Sequence, residues 1–222
     1  MLKLIIFDWD DVITLGSKEG YFRCYHEALR EVGVMLPAAV ERQRIVASWG
    51  RSYREVIANL LKEDSRQLDQ ACKLYQEKKF GATFISSLYV LPGLNELLIL
   101  LKDKYILAVA TSSNSDLIKD GIMPRLGIPD VFQEIISVHD LNDSSKAKPS
   151  PHLVNILMTK FGVMPDQTCV VGDAINDVLM AQAAGTTPIV VLTGHLNRQT
   201  AEQLGVKKII NNVMELETVL EL

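Results

Sequence analysis

Leu4-Ile5-Ile6-Phe7-Asp8-Trp9-Asp10 begins as an unbroken run of branched and aromatic side chains and ends in two acids separated by one residue. Four apolar residues without polar alternation read as a strand buried on both faces, as inside a parallel sheet. Open parallel sheets place their chemistry beyond the carboxyl ends of their strands, so Asp8 and Asp10 stand where a site would form. Paired carboxylates there can hold a hard cation through oxygen and leave one group to attack or to move a proton. A solvated turn is the plainer reading of the same residues.

Outward from this junction the pattern changes. From Lys18 to Ser86 no strand-like run occurs, and apolar residues recur at helical spacing, as in Tyr21, Phe22, Tyr25, Leu29 and Val32, then Val56, Ile57, Leu60 and Leu61. Beyond Tyr89, strand-like runs (Tyr105 to Ala110, Glu134 to Val138, Thr168 to Val171, Pro188 to Leu192, Lys208 to Ile210) alternate with amphipathic stretches starting near Leu94, Ser115, Pro151, Asn176 and Asn197. That alternation predicts an α/β fold: a doubly wound parallel sheet, Rossmann-like, with helices on both faces. The expected division is a core of residues 1–15 and 87–222 and an inserted helical domain of 16–86. Pro92-Gly93 marks the return to the core.

Composition narrows the function classes. The chain has 222 residues, 48% of them hydrophobic, and a net charge of -4 with no long basic run, so nucleic acid is not an expected partner. The apolar N-terminal run is too short for a signal peptide, and no stretch approaches the roughly 20 apolar residues of a membrane span. A cytoplasmic protein away from the membrane, monomeric or a small homo-oligomer, is expected. Cys24, Cys72 and Cys169 are odd in number and lack a CxxC pair, which indicates small core residues. Neither GxxxxGK[ST] nor GxGxxG is present, which argues against P-loop and dinucleotide chemistry.

Three further segments end strands at the same expected edge. Ala108-Val109-Ala110 runs into Thr111-Ser112-Ser113-Asn114, a seat for an oxyanion or phosphate; Ser113 with Asp116 resembles a helix-capping arrangement. Lys148 precedes Pro149-Ser150-Pro151, where Ser150 and Pro151 fit an N-cap and a first helical position, holding the ammonium on a stiffened loop with Lys146 nearby. Thr168-Cys169-Val170-Val171 leads into Gly172-Asp173-Ala174-Ile175-Asn176-Asp177. If Asp173 faces Asp8 and Asp10, the carboxylates would repel one another unless a divalent cation were bound.

Taken together, FDWDDV, LAVATSSN, AKPSPH and VVGDAINDV resemble, in order, the four motifs of the haloacid dehalogenase superfamily of phosphatases and phosphomutases, and the helical insertion resembles that family's helical cap. The resemblance covers nearly the whole chain, with the C-terminal stretch similar to phosphoglycolate phosphatase-like members. It implies a phosphoric monoester hydrolase acting on a small phosphate ester with Mg²⁺. By resemblance Asp8 is the nucleophile and Asp10 the general acid and base. Asp8, Asp10 through its backbone carbonyl, Asp173 and Asp177 serve the metal, and Thr111, Ser112 and Lys148 hold phosphoryl oxygens. Cap contacts are expected from Gly50-Arg51-Ser52, chiefly Arg51 and Ser52, with Tyr21 and Arg23 as further candidates, while His26 could assist proton transfer or simply pack. A β-phosphoglucomutase-like mutase, and a phospho-acceptor or inactive binding relative, are the alternatives. One departure stands out: the family usually has Gly where this chain has Asp11, so a side chain occupies a position that normally lets the backbone turn freely.

Overall fold

The computed structural model describes residues 1–48, 51–62, 65–141 and 143–220, and divides the chain into two compact units, Met1–Leu15 with Tyr89–Leu222, and Gly16–Leu88. In the first unit six strands, β1 (Leu4–Phe7), β2 (Ile106–Thr111), β3 (Glu134–Ser137), β4 (Thr168–Gly172), β5 (Thr187–Val191) and β6 (Lys208–Ile210), form one parallel sheet in the order β3-β2-β1-β4-β5-β6. β1 is central and flanked on both sides, which is why its residues are all apolar and none is exposed. Leu4 and Ile6 face one layer of helices, packing with Ala108, Ala110 and Val170 against Leu153, Leu157 and Met180. Phe7 meets Phe132 edge-on, ring centroids 6.1 Å apart.

The chain winds outward from β1 to β3, then crosses back to β4 on the other flank and winds outward to β6. The loops leaving β1 and β4 therefore diverge, opening a crevice at the carboxyl edge between these two strands. Register brings that edge into line: Phe7 lies opposite Val109 on β2 and Val171 on β4, and the Asp8 N–H donates to the Val171 carbonyl at 2.8 Å. Strand ends differ from the sequence expectation by one residue at most places; β2 runs on to Thr111 because its backbone still pairs with Ser137.

Two helix starts differ more. Ser150 is not an N-cap: Pro151 takes that position, ahead of the helix His152–Phe161. Nor does Ser113 cap the following turn; Asn114 Oδ1 accepts the Leu117 N–H at 2.8 Å instead, and Leu117–Ile122 is a wide π-type turn before the short helix Met123–Leu126.

The described residues of the second unit form helices and no strand, with Ser17–Glu31, Ala38–Ala47, Tyr53–Leu61, Leu68–Lys79 and Ala82–Ile85. Phe22, Tyr25 and Leu29 form the buried stripe of its first helix, and Tyr25 stacks on Tyr75 at 4.3 Å between centroids. No helix among the described residues is long and apolar enough to cross a membrane, and all three cysteines are free and buried.

Candidate active site

Alternation along the end of β1 sorts its side chains. Trp9 is fully buried and packs edge-on against Phe132 at 6.0 Å, while its carbonyl accepts the N–H groups of Ile13 and Thr14 at 3.0 and 3.2 Å. The chain thus turns sharply after Asp10, and the turn passes through Asp11 at φ +58, the left-handed region that suits glycine best and Asp or Asn next. Asp11 is itself buried, and its carbonyl accepts the Thr193 hydroxyl at 2.5 Å.

Side chains from the ends of β1 and β4 converge with Lys148, on the loop before the helix His152–Phe161, and Asp177, in the helix Ile175–Ala183. Lys148 Nζ lies 2.7 Å from Asp8 Oδ1 and 2.8 Å from Asp177 Oδ1, with only 6% of its side chain exposed. Asp8, Asp173 and Asp177 bring one carboxylate oxygen each to within 4.8 Å of the others; Asp11, Asp173 and His195 form a second such group. Neither group includes the Asp10 carboxylate, which is engaged elsewhere: its Oδ2 accepts the Ser113 hydroxyl at 2.5 Å. Thr111 is buried at the end of β2, its Oγ1 accepting the Ser113 N–H at 3.0 Å, and Ser112 is exposed beside it.

Glycine at two positions lets the acids pack so tightly. Asp177 folds back over the strand end so that its Oδ2 accepts the N–H groups of Asp173 and Ala174, at 3.2 and 3.0 Å. A β-carbon on Gly172 would overlap the Asp177 side chain, and one on Gly194 would overlap the Asp173 carboxylate. The Gly194 loop in turn lets the His195 N–H donate to Asp173 Oδ2 at 2.9 Å.

Crowding and burial set the electrostatics. Burial pushes the Asp8 carboxyl up to about 7, the Lys148 ammonium opposing this and the Asp177 charge adding to it. Burial, then the charges of Asp8 and Asp177, push Asp173 up to about 8. For Lys148 burial works against its charge, but Asp177 and Asp8 outweigh it and hold the ammonium above the ordinary lysine range. The donor set of Asp8, Asp173 and Asp177 is all carboxylate oxygen, and two of its members are reluctant to ionise without a counter-charge. That chemistry fits a hard divalent cation such as Mg²⁺.

The insertion residues are placed within their own unit. Ser52 caps the helix Tyr53–Leu61, its hydroxyl donating to Glu55 Oε2 at 2.7 Å and accepting the Glu55 N–H at 3.3 Å, so both hydroxyl roles are in use. Arg51 is exposed, and Gly50 lies outside the described residues. Arg23 donates to the hydroxyls of Ser86 and Ser87, and His26 Nδ1 lies 3.1 Å from Glu41 Oε2. Two participants carry no local sequence signal: Ser113, which reads as a helix cap, and the Gly194-His195 loop, marked only by a glycine after a strand.

Comparison with known proteins identifies the family and the fold. The family model described as haloacid dehalogenase-like hydrolase matches residues 2–185. A phosphoglycolate phosphatase of Haemophilus influenzae (strain 86-028NP) is 30% identical over 205 residues, 87% of each chain, and one of Mannheimia succiniciproducens is 30% identical over 207 residues with the same coverage. Among solved structures, a Thermotoga maritima protein provisionally named a beta-phosphoglucomutase superposes with a TM-score of 0.82 at 23% identity, covering 99% of both chains. A subfamily IA hydrolase of Geobacter sulfurreducens superposes at 0.76 and 20% identity, covering 99% of this chain and 96% of its own. These two structural likenesses speak for the fold.

Proposed function

The chain belongs to the haloacid dehalogenase-like hydrolases and is a phosphoric monoester hydrolase, and we propose that it cleaves a small phosphorylated metabolite through a phosphoryl group carried on Asp8. Support comes from one constellation above all: Asp8 directly after the central strand, in contact with Lys148 and within one cation's reach of Asp173 and Asp177. An Mg²⁺ held by Asp8, Asp173, Asp177 and the Asp10 carbonyl would neutralise phosphoryl charge and favour the ionised form of Asp8. The other steps fall to the chain itself. Lys148 and the Thr111 hydroxyl, with the Ser112 amide, hold non-bridging oxygens. Asp8 attacks phosphorus, the ester P–O bond breaks, and the Asp10 carboxyl gives its proton to the departing alkoxide. Water then loses a proton to the Asp10 carboxylate and attacks the same phosphorus; the bond to Asp8 breaks and inorganic phosphate leaves.

Residues 16–88 are proposed to act as the cap that selects the leaving group, with Arg51 as its candidate substrate contact. Named relatives point to 2-phosphoglycolate. A screen of phosphometabolites and p-nitrophenyl phosphate with Mg²⁺ tests the reading, with inorganic phosphate release measured. Turnover is expected to vanish in Asp8→Asn and in chelator. Turnover that persists in Asp8→Asn would overturn the nucleophile, and full activity in chelator would overturn the metal.

A further inference from the structure

Ser113 is buried, stands 103 positions from Asp10 in sequence, and gives its hydroxyl proton to one oxygen of that carboxylate at 2.5 Å. An O–H···O⁻ bond this short is charge-assisted and directional. Local duty does not explain it, because the cap of the following turn is Asn114, whose Oδ1 accepts the Leu117 N–H. The serine is also held from behind. Its N–H donates to Thr111 Oγ1 at 3.0 Å, and two residues on, Ser115 Oγ donates to Asp140 Oδ1 at 2.6 Å. Asp140 Oδ2 accepts the Ser137 N–H at 2.7 Å, which ties the 113–115 segment to the end of β3.

From this geometry we infer that Ser113 is the positioning residue for Asp10, fixing which carboxylate oxygen exchanges the proton. The inference rests on the reading of Asp10 as acid and base. Because Ser113 occupies Oδ2, the travelling proton is assigned to Oδ1, and the carboxyl is kept from swinging out of line with the ester oxygen. An Asp side chain has two rotatable bonds, so a fixed hydroxyl at one oxygen removes conformers that a general acid would otherwise have to search. No substrate contact is assigned to the serine; it acts through Asp10.

The test is leaving-group dependence. p-Nitrophenolate departs as a stable anion and needs no proton, whereas an alkyl phosphate such as 2-phosphoglycolate does. Ser113→Ala is expected to lower kcat/KM for 2-phosphoglycolate by roughly tenfold or more, general acid catalysis being typically worth at least that. For p-nitrophenyl phosphate kcat/KM should fall less than about threefold, since that ratio reports only the steps up to transfer onto Asp8. If 2-phosphoglycolate is not a substrate, phenyl phosphate serves as the poor leaving group. Ser113→Thr should restore the alkyl ester rate, and adding Ser113→Ala to Asp10→Asn should cost nothing further. Equal losses on both esters, additive losses in the double variant, or no loss at all would each overturn the inference. Asp8→Asn run alongside keeps the two readings apart: an inactive Asp8→Asn together with equal ester losses in Ser113→Ala sinks only the role of Ser113.

Discussion

Gly194 lies so close against Asp173 that a single added carbon would overlap the carboxylate. The loop after β5 is thus a wall of the acidic site, and its His195 N–H is one of the groups that orient Asp173. Gly194→Ala is expected to displace Asp173 and to weaken Mg²⁺ binding about 10- to 100-fold, the range for lost orienting partners of metal ligands. Calorimetric titration with Mg²⁺ measures this directly; unchanged affinity would show that the loop yields freely.

Lys148 is the only cation reaching both Asp8 and Asp177 among the described ion pairs, and it is almost wholly buried. Lys148→Met would leave two carboxylates facing each other, with an expected loss of about 3 kcal/mol of stability. Urea unfolding in chelator checks this, and the deficit should shrink when Mg²⁺ is added. Turnover should fall by about 100-fold or more even with metal, since the proposed donor to the phosphoryl group is lost as well.

Metal-free stability should depend on pH with a definite sign. Asp8 and Asp173 are raised by burial to about 7 and about 8, against an ordinary 3.8. Between those limits the folded protein binds more protons than the unfolded chain, so stability falls as pH rises from near 4 to near 8. This contribution is complete below the ordinary carboxyl range and gone above about 8. Melting temperatures in chelator, taken as wild type minus Asp173→Asn, should decline across that window. The stabilisation given by Mg²⁺ should grow over the same interval, because the ion displaces those protons. A flat difference would contradict the burial argument.

Asp11 can be exchanged with a predictable order of cost. At φ +58 a β-branched side chain is strained, whereas glycine is not. Asp11→Val should destabilise by about 1–2 kcal/mol, and Asp11→Gly should stay within about 1 kcal/mol of wild type, relief of strain being offset by the freer unfolded chain. Chemical denaturation orders the two. Asp11→Val as stable as Asp11→Gly would mean that the turn adjusts.

The strands were legible from sequence because burial on both faces leaves a strong local mark: Leu4–Phe7 and Thr168–Gly172 contain no charged residue. Asp173 was legible as a site candidate because the glycine beside it announces a tight turn at a strand end; Lys148 was legible because the prolines after it announce a stiff loop, although that loop lies before the helix His152–Phe161 and not at the end of β3, which stops at Ser137. Ser113 was misread for the converse reason. Serine near a helix start has a cheap local partner, and nothing nearby indicates that its hydroxyl is claimed by a carboxylate from the opposite end of the chain. Ser150 failed likewise, since the turn after Lys148 advances the cap to Pro151. His195 was missed because the hydrogen bond it gives Asp173 is a backbone N–H, which any residue supplies, and because its ring is brought near Asp11 and Asp173 only by the fold.

The central position of β1 also governs the order in which the protein can assemble. Leu4 leaves the ribosome early, yet its two lateral partners are Ile106 and Thr168. The helical unit Gly16–Leu88 is complete long before either arrives, and it closes on local contacts. During that interval an apolar strand with both edges unpaired waits near the N-terminus, in need of protection from other chains. Asp8 therefore meets Asp173 only after more than three-quarters of the polypeptide has been made, so a truncated product carries the proposed nucleophile without the acids and lysine that surround it in the folded chain.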